Sequence, residues 1–240
     1  MTLRSTLFLI IAAILLPAPA LAEAKPPRMI TEAEAPQWNA VGRLNIAGNR
    51  FCTAALISPT EAVTAAHCLF NPLTRNRTIP SELRLVLGLR PDSHVAVLKI
   101  AATAVLPGYT YLGQNADLPM IALDVALLRL DRPVTPDEAA PLTVTQWPDD
   151  LPIVDILGFG RDRPYLASIR ANCPVVADMT VTALLDCKVE PGLSGSPVVL
   201  TQSRQMVAVT SSLVGTRLNN SQSLIVPIEP HLAELRALLQ

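Results

Sequence analysis

Hydrophobic positions along this chain recur with a period of two or as short unbroken runs. Residues 43–46 (RLNI) and 83–87 (LRLVL) show a period of two, which predicts half-buried strands. Residues 95–100 and 125–130 are nearly continuous apolar runs between turn residues, which predicts strands buried on both faces. Further runs at 153–157, 197–200, 206–210 and 224–228 extend the pattern, so the expectation is an all-β chain of many short strands.

Three stretches break this rhythm. Residues 131–141 (DRPVTPDEAAP) are polar and proline-rich, the best candidate for a linker between two units. Residues 23–37 carry no apolar periodicity and read as an exposed leader. At the other end, Pro230 suits a first helical turn and Leu232, Leu235 and Leu239 share one face, so residues 229–240 are predicted to form a short helix laid on the body.

The first 22 residues have the organisation of an export signal. Arg4 supplies the positive start, residues 7–16 form the apolar run, and Ala20-Leu21-Ala22 is a small-x-small cleavage site, with the cut expected after Ala22. Pro17 and Pro19 stop the run short of membrane-spanning length. The expectation is a secreted or periplasmic protein, free of the membrane once the signal is removed.

Composition narrows the function classes. The 240 residues are 50% hydrophobic and 16% charged, with 19 basic against 20 acidic side chains, which argues against disorder and against a nucleic-acid-binding surface. Twenty-two prolines punctuate the chain too often for long helices. Four cysteines, Cys52, Cys68, Cys173 and Cys187, fall as two local pairs in the exported part, where an oxidising compartment favours disulfides. Three pairings are possible, and the simplest joins Cys52 to Cys68 and Cys173 to Cys187. The alternative, a metal site with His67, has no C-x-x-C spacing to support it, and no metal or cofactor is expected.

Three segments carry chemical information. Residues 63–68 (VTAAHC) read as an apolar strand ending in His67, residues 122–128 (ALDVALL) place Asp124 at the head of a buried run, and residues 191–197 (PGLSGSP) set Ser194 between glycines in a tight turn. Taken singly, each is as easily structural: a core histidine, a turn aspartate, a loop serine. His94 and His231 read as surface or packing residues.

In the order His, Asp, Ser, these segments resemble the trypsin-like, chymotrypsin-fold serine peptidases. The FCTAALIS string from Phe51, TAAHC ending at Cys68, DVALL from Asp124, the Gly158-Phe159-Gly160 turn and GLSGSP from Gly192 all follow the family's order. The resemblance runs over residues 38–240 and is closer to bacterial exported members than to digestive enzymes. It implies two six-stranded antiparallel β-barrels, here residues 38–130 and 142–228, with an active site in the cleft between them.

It also implies roles. Ser194 is the nucleophile, His67 the base that takes and returns its proton, Asp124 the group that holds the other ring nitrogen, and the N–H groups of Gly192 and Ser194 the oxyanion donors. Two positions depart from the family. Leu193 replaces the acidic or amide residue before the nucleophile, so pairing with a freed N-terminus after Arg28 has no carboxylate to meet. An ungapped count puts Lys188 at the floor of the specificity pocket, flanked by Asp186 and Glu190, or, if the loop is displaced, in solvent. Either position gives no acidic floor for a substrate Arg or Lys.

The reading that follows is an exported serine endopeptidase acting on protein or peptide substrates through an acyl-enzyme. A non-catalytic binding module of the same fold and a hydrolase of small esters are the alternatives. The sequence is silent on oligomeric state.

Overall fold

The computed structural model describes residues 26–47, 49–215 and 221–239, so the signal expected over 1–22 lies outside the described residues. Strand β1 (Arg28–Met29) precedes a six-stranded closed barrel of β2 (Val41–Ile46), β3 (Arg50–Ser58), β4 (Glu61–Thr64), β5 (Leu83–Leu87), β6 (Ala96–Val105) and β7 (Ala126–Leu130), hydrogen-bonded in the order β2-β3-β4-β7-β6-β5. The alternation read at 43–46 is the barrel's inside-outside pattern: Leu44 and Ile46 point into the core while Arg43 and Asn45 stay partly exposed.

The second unit comprises β8 (Ile153–Gly158), β9 (Ser168–Asp178), β10 (Ala183–Leu185), β11 (Pro197–Leu200), β12 (Met206–Gly215) and β13 (Ser221–Pro227). All its pairings are antiparallel, and it closes because β9 is long enough to pair with β8 through its first half and with β10 through its second. The fold is therefore all-β, two six-stranded barrels plus a short C-terminal helix. Before β7 lies the one-turn helix α1 (Leu118–Ala122), and β13 is followed by α2 (Glu229–Ala237), which buries Leu232 and Leu235, with Leu239 buried just beyond it. No helix among the described residues is long and apolar enough to cross a membrane.

Residues 131–152 connect β7 to β8, and the polar stretch 131–141 within them does not float free. Val134 and Ala139 are buried, and the Val134 N–H donates to the Pro59 carbonyl at 2.8 Å. The leader differs from expectation in the same way. Its described part is not wholly exposed: β1 adds to the edge of β9, Ile30 is 3% exposed, and its N–H donates to the Ala167 carbonyl at 3.0 Å. Two strand residues and one buried side chain are too short a signal for periodicity to reveal.

Both disulfides follow the local pairing, Cys52 with Cys68 in the first barrel and Cys173 with Cys187 in the second. Closing loops of this length stabilises by about 3 kcal/mol each in the chain-entropy account.

Candidate active site

His67 is not at the end of a strand. β4 stops at Thr64, and residues Ala66–Leu69 form a single 3-10 turn that turns the imidazole toward the inter-barrel cleft. The Cys52–Cys68 bridge pins that turn to β3 at the residue next to His67. Asp124 follows α1, whose N-terminus is capped by Asp117 accepting from the Met120 N–H at 3.1 Å, and the Asp124 N–H closes the helix end on the Ile121 carbonyl at 3.0 Å.

These two turns bring Asp124 and His67 together. Asp124 Oδ2 lies 2.7 Å from His67 Nδ1, and Oδ1 accepts the His67 backbone N–H at 2.7 Å. The Asp124 side chain is 6% exposed, so the contact forms in a poorly screened setting. Burial alone would push the imidazole pKa down. The charge and hydrogen bond of Asp124 outweigh it, while Arg50 subtracts a little, and the net result is a pKa raised above its ordinary 6.5. Burial first, and then the Asp124 charge, push the neighbouring Tyr109 phenol up, so it stays neutral.

A third partner of Asp124 was not legible in the sequence. Between Thr210 and Ser212 the register of β12 against β13 shifts, leaving Ser211 as the extra residue of a β-bulge. The bulge aims the Ser211 hydroxyl at Asp124, donating to Oδ2 at 2.5 Å. Thus one residue of the second barrel helps fix a carboxylate of the first.

Ser194 lies half-buried on the turn between the Glu190 carbonyl, which accepts the Leu193 N–H at 3.0 Å, and β11. Its position beside the histidine turn is set by close packing: a Cβ on Gly195 would lie 2.7 Å from the Ala65 nitrogen. Ser194 Oγ forms no hydrogen bond with His67 among the described contacts, and His67 Nε2 lies 3.8 Å from Cys68 Sγ. The Gly192 and Ser194 N–H groups likewise donate to no protein acceptor among the described residues. Gly192 has φ +100°, and a Cβ there would sit 2.5 Å from the Phe159 carbonyl and 2.6 Å from the Phe51 ring, so only glycine fits.

Two threonines that sequence reasoning passed over hold this turn, one from each barrel. The Thr53 hydroxyl donates to the Gly192 carbonyl at 3.0 Å and accepts the Phe159 N–H at 3.0 Å, and the Thr53 N–H donates to the Ser194 carbonyl at 2.9 Å. From the other side, the Thr210 hydroxyl donates to the Leu193 carbonyl, and the Thr210 carbonyl accepts the Gly195 N–H at 2.8 Å. Leu193 itself is fully buried among Val154, Ile156, Val198 and Ile225 of the second barrel's core. A threonine in a strand carries no pattern that marks such a role.

Lys188 is exposed. Its neighbour Glu190 pairs instead with Arg170, Nη2 to Oε1, at 3.0 Å. His94 is exposed and His231 half-buried on α2. Among the described residues, the cluster with metal-ligand spacing is Cys52, His67 and Cys68, and its two sulfurs are spent in the disulfide, so it offers no thiolate to an ion. A cavity of about 840 Å³ opens beside His67 and Asp124, lined on one side by Tyr109, Leu112, Met120 and Ile121 and on the other by Ser211, Ser212 and Leu224.

This architecture has relatives. A solved structure titled as a Glu endopeptidase in complex with MPD superposes with a TM-score of 0.73 over 92% of this chain and 99% of its own, at 17% identity, which is a likeness of fold. Coagulation factor XII from Cavia porcellus is 40% identical over 86 residues, 35% of this chain and 13% of that protein's length. The family model described as Trypsin matches residues 29–232, a span that takes in the histidine turn, the buried aspartate and the Ser194 turn. The chain therefore belongs to the trypsin family and carries a chymotrypsin-fold serine-peptidase domain.

Proposed function

We propose that this protein is an exported serine endopeptidase that cleaves through an acyl-enzyme on Ser194. The observation that carries the reading is the 2.7 Å contact between His67 Nδ1 and Asp124 Oδ2. It keeps a proton on Nδ1, so Nε2 is left as the base. On binding of substrate, Ser194 Oγ gives its proton to Nε2 and attacks the carbonyl; in substrate-free structures such couples are commonly loose. Negative charge on the carbonyl oxygen is taken by the Gly192 and Ser194 N–H groups, a contact type worth about 3 to 4 kcal/mol per donor. His67 then returns the proton to the leaving amine, and water reverses the steps to release the acid.

The apolar walls of the cleft favour apolar side chains beside the cut. A substrate Arg or Lys finds no unpaired carboxylate in Glu190, which Arg170 already occupies. The paired cysteines and the signal-like first 22 residues support export. A fluorophosphonate probe tests the chemistry: Ser194 should be labelled, and Ser194→Ala should lose both labelling and hydrolysis while staying folded. An unlabelled wild type would favour the non-catalytic alternative. Cleavage profiling of a denatured proteome separates a peptidase from an esterase, since an esterase leaves the peptide map unchanged.

A further inference from the structure

A second depression, of about 770 Å³, lies on the other flank of the Ser194 turn and has the opposite character to the apolar cleft. Four arginines line it, Arg43, Arg50, Arg84 and Arg161, against one carboxylate, Glu82. Among the described residues none of the four lies within ion-pair distance of any carboxylate. Arg43 is the best placed. Its guanidinium carbon lies over the Phe51 ring, 4.3 Å from the centroid, and over the Tyr165 ring, 5.4 Å from the centroid. Its Nε is buried with no acceptor.

This groove lies close to the turn that carries Ser194. The Phe51 ring edge is 2.6 Å from the place a Cβ on Gly192 would occupy, so Arg43 is separated from the oxyanion turn by one aromatic ring. At about 3.3 Å per extended residue, a substrate chain reaches Arg43 roughly two to three residues from the cut. The direction follows from proton transfer. His67 must deliver a proton to the leaving nitrogen, so the leaving half departs on the flank nearest the histidine turn. That flank is the Arg50-Phe51-Cys52 stretch: Cys52 is bonded to Cys68, and Arg50 Nη1 donates to the Phe70 carbonyl at 2.7 Å.

We infer that the Arg43 groove is a carboxylate-binding subsite for the leaving half of the substrate, so that the enzyme prefers chains with a carboxylate two or three residues past the cut. The inference rests on the peptidase reading and deepens it. Two sources could supply the group, an Asp or Glu side chain or the C-terminal carboxylate of a short substrate. An arginine held over two rings and lacking any ion-pair partner among the described residues has a partly desolvated charge that either kind of carboxylate would satisfy.

The test is a set of quenched-fluorescent peptides with Asp or Asn at each of three positions past the cut, each made with a free-acid or an amidated end. Wild type should favour one Asp position over Asn by about fivefold in kcat/KM, the return on one partly exposed ion pair. The preference should shrink in high salt and vanish in Arg43→Gln, with Arg161→Gln, an exposed site, weakening it less. A preference that follows the free end over the amide identifies the C-terminus as the source, and one that follows the side chain identifies Asp or Glu. Equal rates for Asp and Asn in wild type, or a ratio unchanged in Arg43→Gln, would overturn the subsite while fluorophosphonate labelling still upheld the peptidase. Should the chain prove not to hydrolyse peptides, anisotropy of the same fluorescent peptides on Ser194→Ala protein decides. Tighter binding of Asp over Asn that is lost in Ser194→Ala/Arg43→Gln supports the groove, and equal binding refutes it.

Discussion

Arg170 reaches from β9 to place Nη2 3.0 Å from Glu190 Oε1, four residues before the serine proposed as nucleophile. The guanidinium is 5% exposed and the carboxylate 28%, so the pair is largely shielded from water. The Glu190 carbonyl also accepts the Leu193 N–H, which ties the ion pair to the turn that presents Gly192 and Ser194. With Leu193 apolar, this pair is the ionic fastening of the turn that the chain itself supplies. Glu190→Gln should leave a buried guanidinium without a counter-charge and cost about 2 to 3 kcal/mol in urea unfolding, at the low end for a broken buried pair because Glu190 keeps some water. Turnover should fall more than substrate binding. Unchanged stability and unchanged kcat would show that the pair fastens nothing.

Thr53 makes a separate prediction. Thr53→Val removes the hydroxyl that holds the Gly192 carbonyl and orphans the Phe159 N–H. The expected cost is about 1 to 3 kcal/mol in stability, with kcat lowered roughly ten- to a hundredfold by a misplaced oxyanion donor. KM should change little, and Thr53→Ser should restore most of the rate. A variant with full kcat would remove Thr53 from the positioning of the turn.

The pH dependence follows from His67. Its folded pKa is raised above 6.5, because Asp124 outweighs the opposing burial, and only neutral imidazole serves as base. The acid limb of kcat/KM should therefore have its midpoint above pH 6.5. The same raised pKa adds stability that is fully present below the unfolded value and lost as pH rises through the folded one. In Asp124→Asn the raising cause is gone and burial remains, so the limb should move below pH 6.5 while turnover drops by about 10⁴-fold. A pH–rate profile with an NMR titration of the ring measures both. An identical limb in the two proteins would separate Asp124 from the titration.

Activation can be tested at Arg28. Met29 and Arg28 pair with Ser168 and Ile169 of β9, Ile30 is buried, and Arg28 Nη2 pairs with Glu34 at 2.6 Å, so the segment is built into the second barrel's edge uncut. Leu193 packs among apolar side chains and, unlike an acidic residue there, brings no carboxylate for an inserted ammonium, while the nearby Glu190 is already paired with Arg170. Arg28→Gln protein, shown by mass spectrometry to be uncut at this bond, should match wild type in kcat/KM. Protein that stayed inactive until cut elsewhere would refute this.

Local chemistry made much of this protein readable from its sequence. The strand read at residues 83–87 matches β5 in its bounds, with Leu83, Leu85 and Leu87 facing the barrel core and Arg84 partly exposed on the other face, where Val86 is buried as well. The apolar run at 125–130 matches β7, save that Val125 falls outside it. The cysteine spacing made the local pairing the simplest one, since short loops close at lower entropic cost than long ones, and the strings around His67, Asp124 and Ser194, ambiguous singly, became recognisable together in their order. β3 was not legible, because its small residues, CTAA, are buried on both faces and leave no period to detect. Nor was β9, whose asparagine, cysteine and proline obscure an eleven-residue strand. What only the tertiary structure decided is how distant segments share one polar group. Ser211 meets Asp124 through a bulge, Thr53 crosses from one barrel to the other's turn, and Glu190 takes Arg170 rather than Lys188 two residues away. Such choices are set by which buried donors and acceptors face each other once two barrels close, and a desolvated polar group takes the partner that geometry leaves it, whatever the sequence distance.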